Sequence, residues 1–144
     1  MKFIVVFALC LAVVTAELSK EFLEAIMKEE DEIGEECLKQ ENASQADMDE
    51  LTEKKNPTRR EGKCLIACYY EAYEMKEKDG KITEEGILKS LRGFKEQDED
   101  IYKNLVKIMV EICLPEVKST DRCEAAAEFE ACYLSHTEKV NAIF

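Results

Sequence analysis

Apolar residues recur at helical spacing near the start of the chain, between long runs of charged residues. The pattern predicts a first helix from Ser19, a typical N-cap residue, to about Leu38. Its apolar stripe consists of Phe22, Ile26, Ile33 and Cys37. Glu and Lys fill the opposite face, so this helix should bury one side only.

Two further helices are predicted before residue 80. Ser44 is the expected N-cap of a short second helix. The third helix carries Cys64 and Cys68, includes 69–75 and ends at the Asp-Gly turn at 79–80. The three segments are separated by polar turns, which is typical of a helical domain.

The central part of the chain contains the most apolar predicted helix. Thr83 caps a fourth helix, with Gly93 as its stop. The fifth helix spans 101–113 and ends at Pro115. Two adjacent stripes of apolar residues run along it: Ile101, Leu105, Ile108 and Ile112, and beside them Tyr102, Val106, Met109 and Cys113. A doubled stripe indicates burial on two sides.

The sixth helix begins at an Asp-x-x-Glu arrangement formed by Asp121 and Glu124, which resembles a capping box. The chain has only 5 Gly and 2 Pro, so it has few turn or strand-interrupting positions. Together these patterns predict an all-α fold of about six helices.

The first sixteen residues have the features of a secretory signal peptide. Lys2 is followed by an apolar run over 3–14 and by small residues ending at Ala16. The apolar run is shorter than the roughly 20 residues needed to span a bilayer. We therefore expect cleavage after Ala16, a mature helical domain over 17–144, and a secreted protein without direct membrane insertion.

Length and charge restrict the function further. The chain has 144 residues, enough for one domain, with 20 Lys and Arg against 32 Asp and Glu and a formal net charge of −12. An acidic surface repels phosphate backbones, so nucleic acid is not an expected partner.

Cysteine number and spacing carry the most specific signal. Removal of Cys10 with the signal peptide leaves six of the 7 cysteines, which predicts three disulfides in a small secreted chain. Cys64 cannot bond Cys68 within one helix, because their Cβ atoms would be about 5–6 Å apart. Cys123 and Cys132 face opposite sides of one helix. Ten of the fifteen possible pairings remain open after these exclusions.

The chain resembles the insect odorant-binding protein family of the pheromone and general odorant-binding type. The features that carry the resemblance are the spacing of the six cysteines, the Cys-x3-Cys on the third helix, the Cys-x8-Cys on the last helix and the signal peptide. The resemblance covers essentially the whole mature chain. It implies a compact bundle of about six helices around an apolar cavity, cross-linked by three interlocked disulfides. The implied pairs, which are among the ten left open, are Cys37–Cys68, Cys64–Cys123 and Cys113–Cys132.

The resemblance also implies a ligand-binding interior. Apolar positions and a few tyrosines are the candidate lining, with a tyrosine hydroxyl orienting the ligand and the C-terminal tail folding over the cavity mouth. The candidate residues are Phe22, Ile26, Leu51, Tyr69, Tyr73, Met75, Leu88, Leu91, Ile101, Leu105, Ile108, Met109, Ile112, Phe129, Tyr133 and Phe144. Spacing alone does not separate residues that line a cavity from residues that fill a core.

The function implied by the resemblance is that of a secreted carrier, without enzymatic activity or cofactor, that binds a small hydrophobic ligand such as an odorant or pheromone. Its partner is a small apolar ligand, with a membrane odorant receptor as an indirect partner and a monomer or weak homodimer as the expected state. The alternatives are a non-olfactory scavenger or carrier of the same fold, and a cavity-free secreted interaction protein.

Other chemistries find weaker support. A single His and one Cys-x3-Cys do not supply a zinc site. The segment at 77–84 echoes a calcium loop, but Met75 and Gly86 occupy the positions where acidic ligands are required. His136 is the only histidine, and the sequence has no G-x-S-x-G motif that would supply a nucleophile for it to activate. We expect no metal and no catalytic residue.

One modification motif is present. Asn42-Ala43-Ser44 is a candidate N-glycosylation sequon. Its Ser44 is also the expected N-cap of the second helix, so the motif has a structural explanation as well.

Overall fold

The structure, a computed structural model, describes residues 18–76 and 80–141, and the side chains of 138–141 are not described. The predicted signal peptide and Phe144 lie outside these residues. The described part contains seven α-helices: α1 (Lys20–Gln40), α2 (Gln45–Thr52), α3 (Arg60–Ala72), α4 (Glu84–Ser90), α5 (Arg92–Gln97), α6 (Glu99–Val106) and α7 (Arg122–Asn141). The all-α prediction is confirmed.

The predicted helix starts are set by local capping. Ser19 accepts a hydrogen bond from the Phe22 amide at the start of α1. Ser44 and Asp47 form a complete capping box at the start of α2. Thr83 accepts from the Gly86 amide at the start of α4. Each cap satisfies an amide that has no partner within its helix.

Two predicted helix ends are wrong. Helix α3 ends at Ala72 rather than continuing to Met75, because Glu74 takes a left-handed φ of 57° that breaks the helix. Gly93 does not stop α4, which ends at Ser90; it lies inside α5, a short helix that the apolar pattern did not predict. Met75 nevertheless turns inward and is only 1% exposed.

The predicted fifth helix consists of three differently wound pieces. Helix α6 continues into a π-helical segment, Lys107–Cys113, and then into a 3₁₀ turn, Leu114–Glu116. Pro115 lies in that turn, where its missing N–H precludes a regular α-helix. The doubled apolar stripe is therefore interrupted in register, although Ile108 and Met109 remain buried.

Three disulfides cross-link the bundle. Cys37–Cys68 joins α1 to α3, with a Cα–Cα distance of 5.7 Å. Cys64–Cys123 joins α3 to α7 at 4.4 Å, and Cys113–Cys132 joins the π segment to α7 at 5.5 Å. These are the pairs that the family resemblance implied.

Helices α3 and α7 form the central pair of the bundle. Leu65 and Phe129 are completely buried between them, and the ring of Tyr70 packs edge-to-face on Phe129 at 5.5 Å. The Tyr70 hydroxyl donates a hydrogen bond to the carboxyl of Glu130. Burial raises the pKa of Glu130, so this contact holds a carboxyl group inside the core.

Arg122, the first residue of α7, ties three elements together. Its guanidinium donates to Glu71 at 2.6 and 2.8 Å and to Glu41 at 3.1 and 2.7 Å. Glu41 is the C-cap of α1 and Glu71 lies in the last turn of α3. Two bidentate pairs therefore fix the ends of α1 and α3 against the start of α7.

The predicted capping box at α7 is only half formed. Asp121 accepts from the amides of Cys123 and Glu124 at 3.1 and 3.0 Å. Glu124 does not reach back to Asp121; its carboxylate accepts from Lys63 of α3 at 2.9 and 3.0 Å. The tertiary ion pair has displaced the reciprocal half of the motif.

Within residues 18–76 and 80–141, none of the helices combines the length and the apolar character needed to cross a membrane.

Candidate functional site

A partly enclosed cavity of about 220 Å³ lies where α1, the end of α3 and the α4–α5 corner meet. It is mainly apolar, and its polar lining residues are Glu29, Tyr73 and Ser90. The described residues lining it are Phe22, Ile26, Glu29, Tyr73, Met75, Ser90, Leu91, Gly93 and Phe94.

One wall of the cavity is a face of α1. Phe22, Ile26 and Glu29 project to the same side, because they are four and three residues apart on the helix. The wall therefore begins with an aromatic ring and ends with a carboxylate. This face forms part of the amphipathic stripe that the sequence predicted.

Helix α5 supplies the opposite wall. Phe94 is 5% exposed and packs edge-to-face on Phe22, with ring centroids 5.2 Å apart and planes at 90°. A Cβ atom at Gly93 would lie 3.0 Å from the Phe22 ring, so the glycine lets α5 approach α1 closely. The aromatic pair closes one end of the cavity.

The segment after α3 forms the floor. Met75 is almost fully buried, and its carbonyl accepts a hydrogen bond from the Thr83 amide at 3.2 Å. A Cβ atom at Gly86 would lie 2.5 Å from that carbonyl oxygen, so α4 can seat against the floor only with a glycine there. The unbranched Met75 side chain suits a lining that must adapt to different shapes.

Tyr73 marks the polar end of the cavity. Burial, followed by the nearby carboxyl groups of Glu30 and Glu29, raises the pKa of Tyr73 well above its ordinary value. Its phenol group is therefore neutral at physiological pH and able to donate or accept a hydrogen bond.

Glu30 is a buried acid beside this end. It is 8% exposed, and its Oε1 atom has no hydrogen-bond partner among the described residues. Burial, reinforced by Asp31 and Glu29, raises the pKa of Glu30 to about 8. The Tyr69 hydroxyl donates to the Glu30 backbone carbonyl at 3.4 Å and not to the Oε1 atom.

The structure brings five of the predicted ligand-binding residues to this cavity: Phe22, Ile26, Tyr73, Met75 and Leu91. Ten others are not among its described lining. Of these, Leu51, Ile101, Ile108, Met109, Phe129 and Tyr133 are buried in the core, whereas Tyr69, Leu88, Leu105 and Ile112 are partly exposed. Phe144 lies outside the described residues, so tail closure over the cavity stays a prediction.

Four lining residues were not predicted: Glu29, Ser90, Gly93 and Phe94. Phe94 and Gly93 belong to α5, which lacks a periodic apolar pattern long enough to reveal it. Glu29 had a usable signal, since it lies three residues after Ile26 and thus close to the apolar face.

The group formed by Cys113, Cys132 and His136 has ligand-type atoms within 4.8 Å of one another. The two sulfurs are joined in a disulfide and are not thiolates, the form that binds metal. The Nδ1 atom of His136 lies 2.9 Å from the Cys132 carbonyl of its own helix. This arrangement does not support a metal site.

Asn42 lies exposed in the turn after α1, with a φ of 52°. The Ser44 hydroxyl of its sequon is engaged in the α2 capping box. The motif is therefore both a surface position and a structural turn, and its modification stays a prediction.

The fold and the cavity together define a class: an all-α bundle, cross-linked by three disulfides, that keeps a partly enclosed and mainly apolar cavity between its helices. Residues 19–136 match the PBP/GOBP family, and the chain belongs to this family of odorant-binding proteins.

Two odorant-binding proteins of Drosophila melanogaster are similar to this chain over most of its length. It is 28% identical to General odorant-binding protein 28a of Drosophila melanogaster over 131 residues, which are 89% of this chain and 86% of that protein. It is 29% identical to General odorant-binding protein 19d of the same species over 104 residues, 70% of this chain and 67% of that protein. The solved structure of odorant-binding protein dmelOBP28a is similar, with a TM-score of 0.69, 25% identity, and coverage of 83% of this chain and 98% of that one.

Proposed function

We propose that this protein is a secreted, non-enzymatic carrier that reversibly binds a small hydrophobic ligand in the cavity between α1 and α5 and transports it through aqueous fluid. An odorant, a pheromone or a similar semiochemical is the expected class of ligand. The observation that carries the proposal is the partly enclosed cavity of about 220 Å³ in a bundle of this family. The leader pattern and the six paired cysteines support secretion.

Cavity size sets the scale of the affinity. At roughly 30 Å³ for each heavy atom, the share that a water molecule takes in the liquid, about 220 Å³ encloses about seven non-hydrogen atoms. Because the cavity is only partly enclosed, a larger molecule such as an apolar dye extends through its open side. Burial of about 0.8 kcal/mol per methylene gives about 6 kcal/mol, which corresponds to a dissociation constant of tens of micromolar. Such affinity suits pick-up and release.

The test is displacement of an apolar fluorescent dye by 1-hexanol, a neutral ligand with seven non-hydrogen atoms. We expect saturable displacement from the folded, oxidised protein with a constant of about 10–100 μM. If neither the dye nor 1-hexanol binds at these concentrations, the proposal is wrong.

A matched pair of variants locates the site. Ile26→Trp places a large side chain in the cavity wall and should weaken dye binding at least tenfold, because the ring takes the space of the ligand. Met27→Trp is the control, since Met27 is the next residue and is exposed to solvent. Equal effects of the two variants would place binding elsewhere. The natural chain has no Trp, so each variant also carries its own fluorescence reporter.

A further inference from the structure

Glu30 is not among the residues that line the cavity, but it lies on the face of α1 that builds the cavity wall. Ile26, one helical turn earlier, and Glu29, its direct neighbour, both line the cavity. Tyr73 lines it from the end of α3, and after burial it is the Glu30 carboxyl that contributes most to the raised pKa of Tyr73. The buried acid therefore belongs to the Tyr73 end of the cavity.

No positive charge balances this end within the described residues. Besides burial, the groups that raise the pKa of Glu30 are Asp31 and Glu29 of α1. Glu30 in turn adds to the effect of burial in raising the pKa of Tyr69 and Tyr73 at the end of α3. The described lining includes a carboxylate, Glu29, but no Lys, Arg or His. The cavity thus combines an apolar body with an acidic end.

An unpaired buried carboxyl oxygen is costly, and native proteins leave few such atoms without a partner. The Oε1 atom of Glu30 is such an atom among the described residues, although the residue is more than nine-tenths buried. A ligand group that donates hydrogen bonds would remove this cost. A cationic donor would also be attracted by the overall net charge of −12.

We propose that the Tyr73 end of the cavity binds the protonated nitrogen of a small apolar amine, with Glu30 and Glu29 as the groups that recognise it. This inference rests on the proposed function, because it specifies the ligand of the same cavity. The alkyl body of the amine occupies the apolar part of the cavity, beside the Phe22–Phe94 pair, and the ammonium group points towards Glu30.

Proton exchange follows from this arrangement. In the ligand-free protein, Glu30 keeps its proton at neutral pH, because burial raises its pKa to about 8. An ammonium group beside it favours the carboxylate, so binding releases the carboxyl proton to solvent. If Glu30 must be ionised in the complex, affinity for the amine rises about fifty-fold between pH 6 and pH 8. A neutral alcohol of the same size lacks this dependence.

The experiment compares three ligands with seven non-hydrogen atoms: hexylamine, 1-hexanol and pentanoate. Each displaces the same apolar dye from the full mature chain at pH 6, 7 and 8. We expect hexylamine to bind at least tenfold more tightly than 1-hexanol at pH 8, pentanoate to bind most weakly, and only the affinity for hexylamine to rise with pH. Equal binding of hexylamine and 1-hexanol would overturn the inference.

Two variants connect the preference to the carboxyl group. In Glu30→Gln the ratio of hexylamine to 1-hexanol affinity should fall towards one and lose its pH dependence. Glu32→Gln, a change to a carboxylate that is 72% exposed on the same helix, should keep the wild-type ratio. An unchanged ratio in Glu30→Gln would contradict the assignment.

A second measurement does not depend on the folding of a variant. Calorimetry of hexylamine binding to the wild-type protein at pH 7, in buffers of different ionisation enthalpy, should detect release of about one proton per complex. Binding of hexylamine without proton release would overturn the role of Glu30.

The same ligands separate failure of this inference from failure of the proposed function. If hexylamine, 1-hexanol and the dye all fail to bind, the carrier function itself is wrong. If 1-hexanol and the dye bind and hexylamine does not, only the amine specificity is wrong.

Discussion

Replacement of Glu30 by Gln should change how stability depends on pH. The pKa of Glu30 rises from 4.5 to about 8 in the folded protein, because the side chain is buried beside Asp31 and Glu29. An acid whose pKa is raised on folding contributes its full stability below the unfolded value and loses it as pH rises towards the folded value. The slope reaches about 1.36 kcal/mol for each pH unit only well between the two pKa values and is smaller near each of them, so this group alone lowers the free energy of unfolding by about 3 kcal/mol between pH 5 and pH 8.

Gln has nearly the same shape and does not ionise, so Glu30→Gln lacks this loss. The measurement is urea unfolding of the oxidised, ligand-free protein, followed by far-UV circular dichroism at pH 5, 6, 7 and 8. The variant should gain about 3 kcal/mol relative to the wild type across that range. Glu130, whose pKa burial also raises, acts equally in both proteins and cancels in the difference. Parallel pH profiles would refute the reasoning, and Glu32→Gln should follow the wild type.

Three further outcomes are expected. The disulfides close loops of 31, 59 and 19 residues, so loss of each should lower the free energy of unfolding by about 3–4 kcal/mol. Reduction of all three should abolish both helicity and dye binding, and a reduced protein that stays folded would contradict this. Gly86→Ala should lower the free energy of unfolding by about 1–3 kcal/mol in urea titrations, since its Cβ atom would meet the Met75 carbonyl at 2.5 Å, and no loss would refute the close approach. Asp47→Ala should lower the free energy of unfolding by about 1–2 kcal/mol at pH 7 in the same assay, because Asp47 accepts from the Ser44 amide at 2.7 Å and pairs with Arg59 at 3.1 Å. A variant as stable as the wild type would contradict that role.

Helix starts could be predicted from the sequence because their causes are local. The caps at Ser19, Ser44 and Thr83 act within three residues, so a short stretch of sequence contains the whole interaction. Capping at Asp121 was predicted for the same reason. Its reciprocal half was not formed, because Lys63, 61 residues away, attracts the Glu124 carboxylate instead.

Elements set by distant packing escaped prediction. Helix α5 has six residues, too few for a periodic pattern, and its position depends on the contact of Phe94 with Phe22. The amino-acid sequence of Lys107–Cys113 also contains no feature that would predict a π-helix rather than an α-helix. The cysteine pairing shows the same limit, since helix geometry left ten pairings and the family resemblance supplied the set that the structure contains.

The cavity lining was predicted in part for a related reason. Apolar character marks Ile26 and Phe129 alike, but one lines the cavity and the other fills the core between α3 and α7. Only the arrangement of the helices separates these roles. Glu30 did carry a signal, because it lies four residues after Ile26 and seven before Cys37, on the buried face of an otherwise charged helix.

The most direct test of the carrier function is a crystal structure of the oxidised protein with 1-hexanol at saturating concentration. We expect electron density for the alcohol inside the cavity, beside Ile26 and Leu91, with its hydroxyl group towards Tyr73. A cavity that stays without ligand density, or an alcohol bound only on the outer surface, would contradict the proposed function.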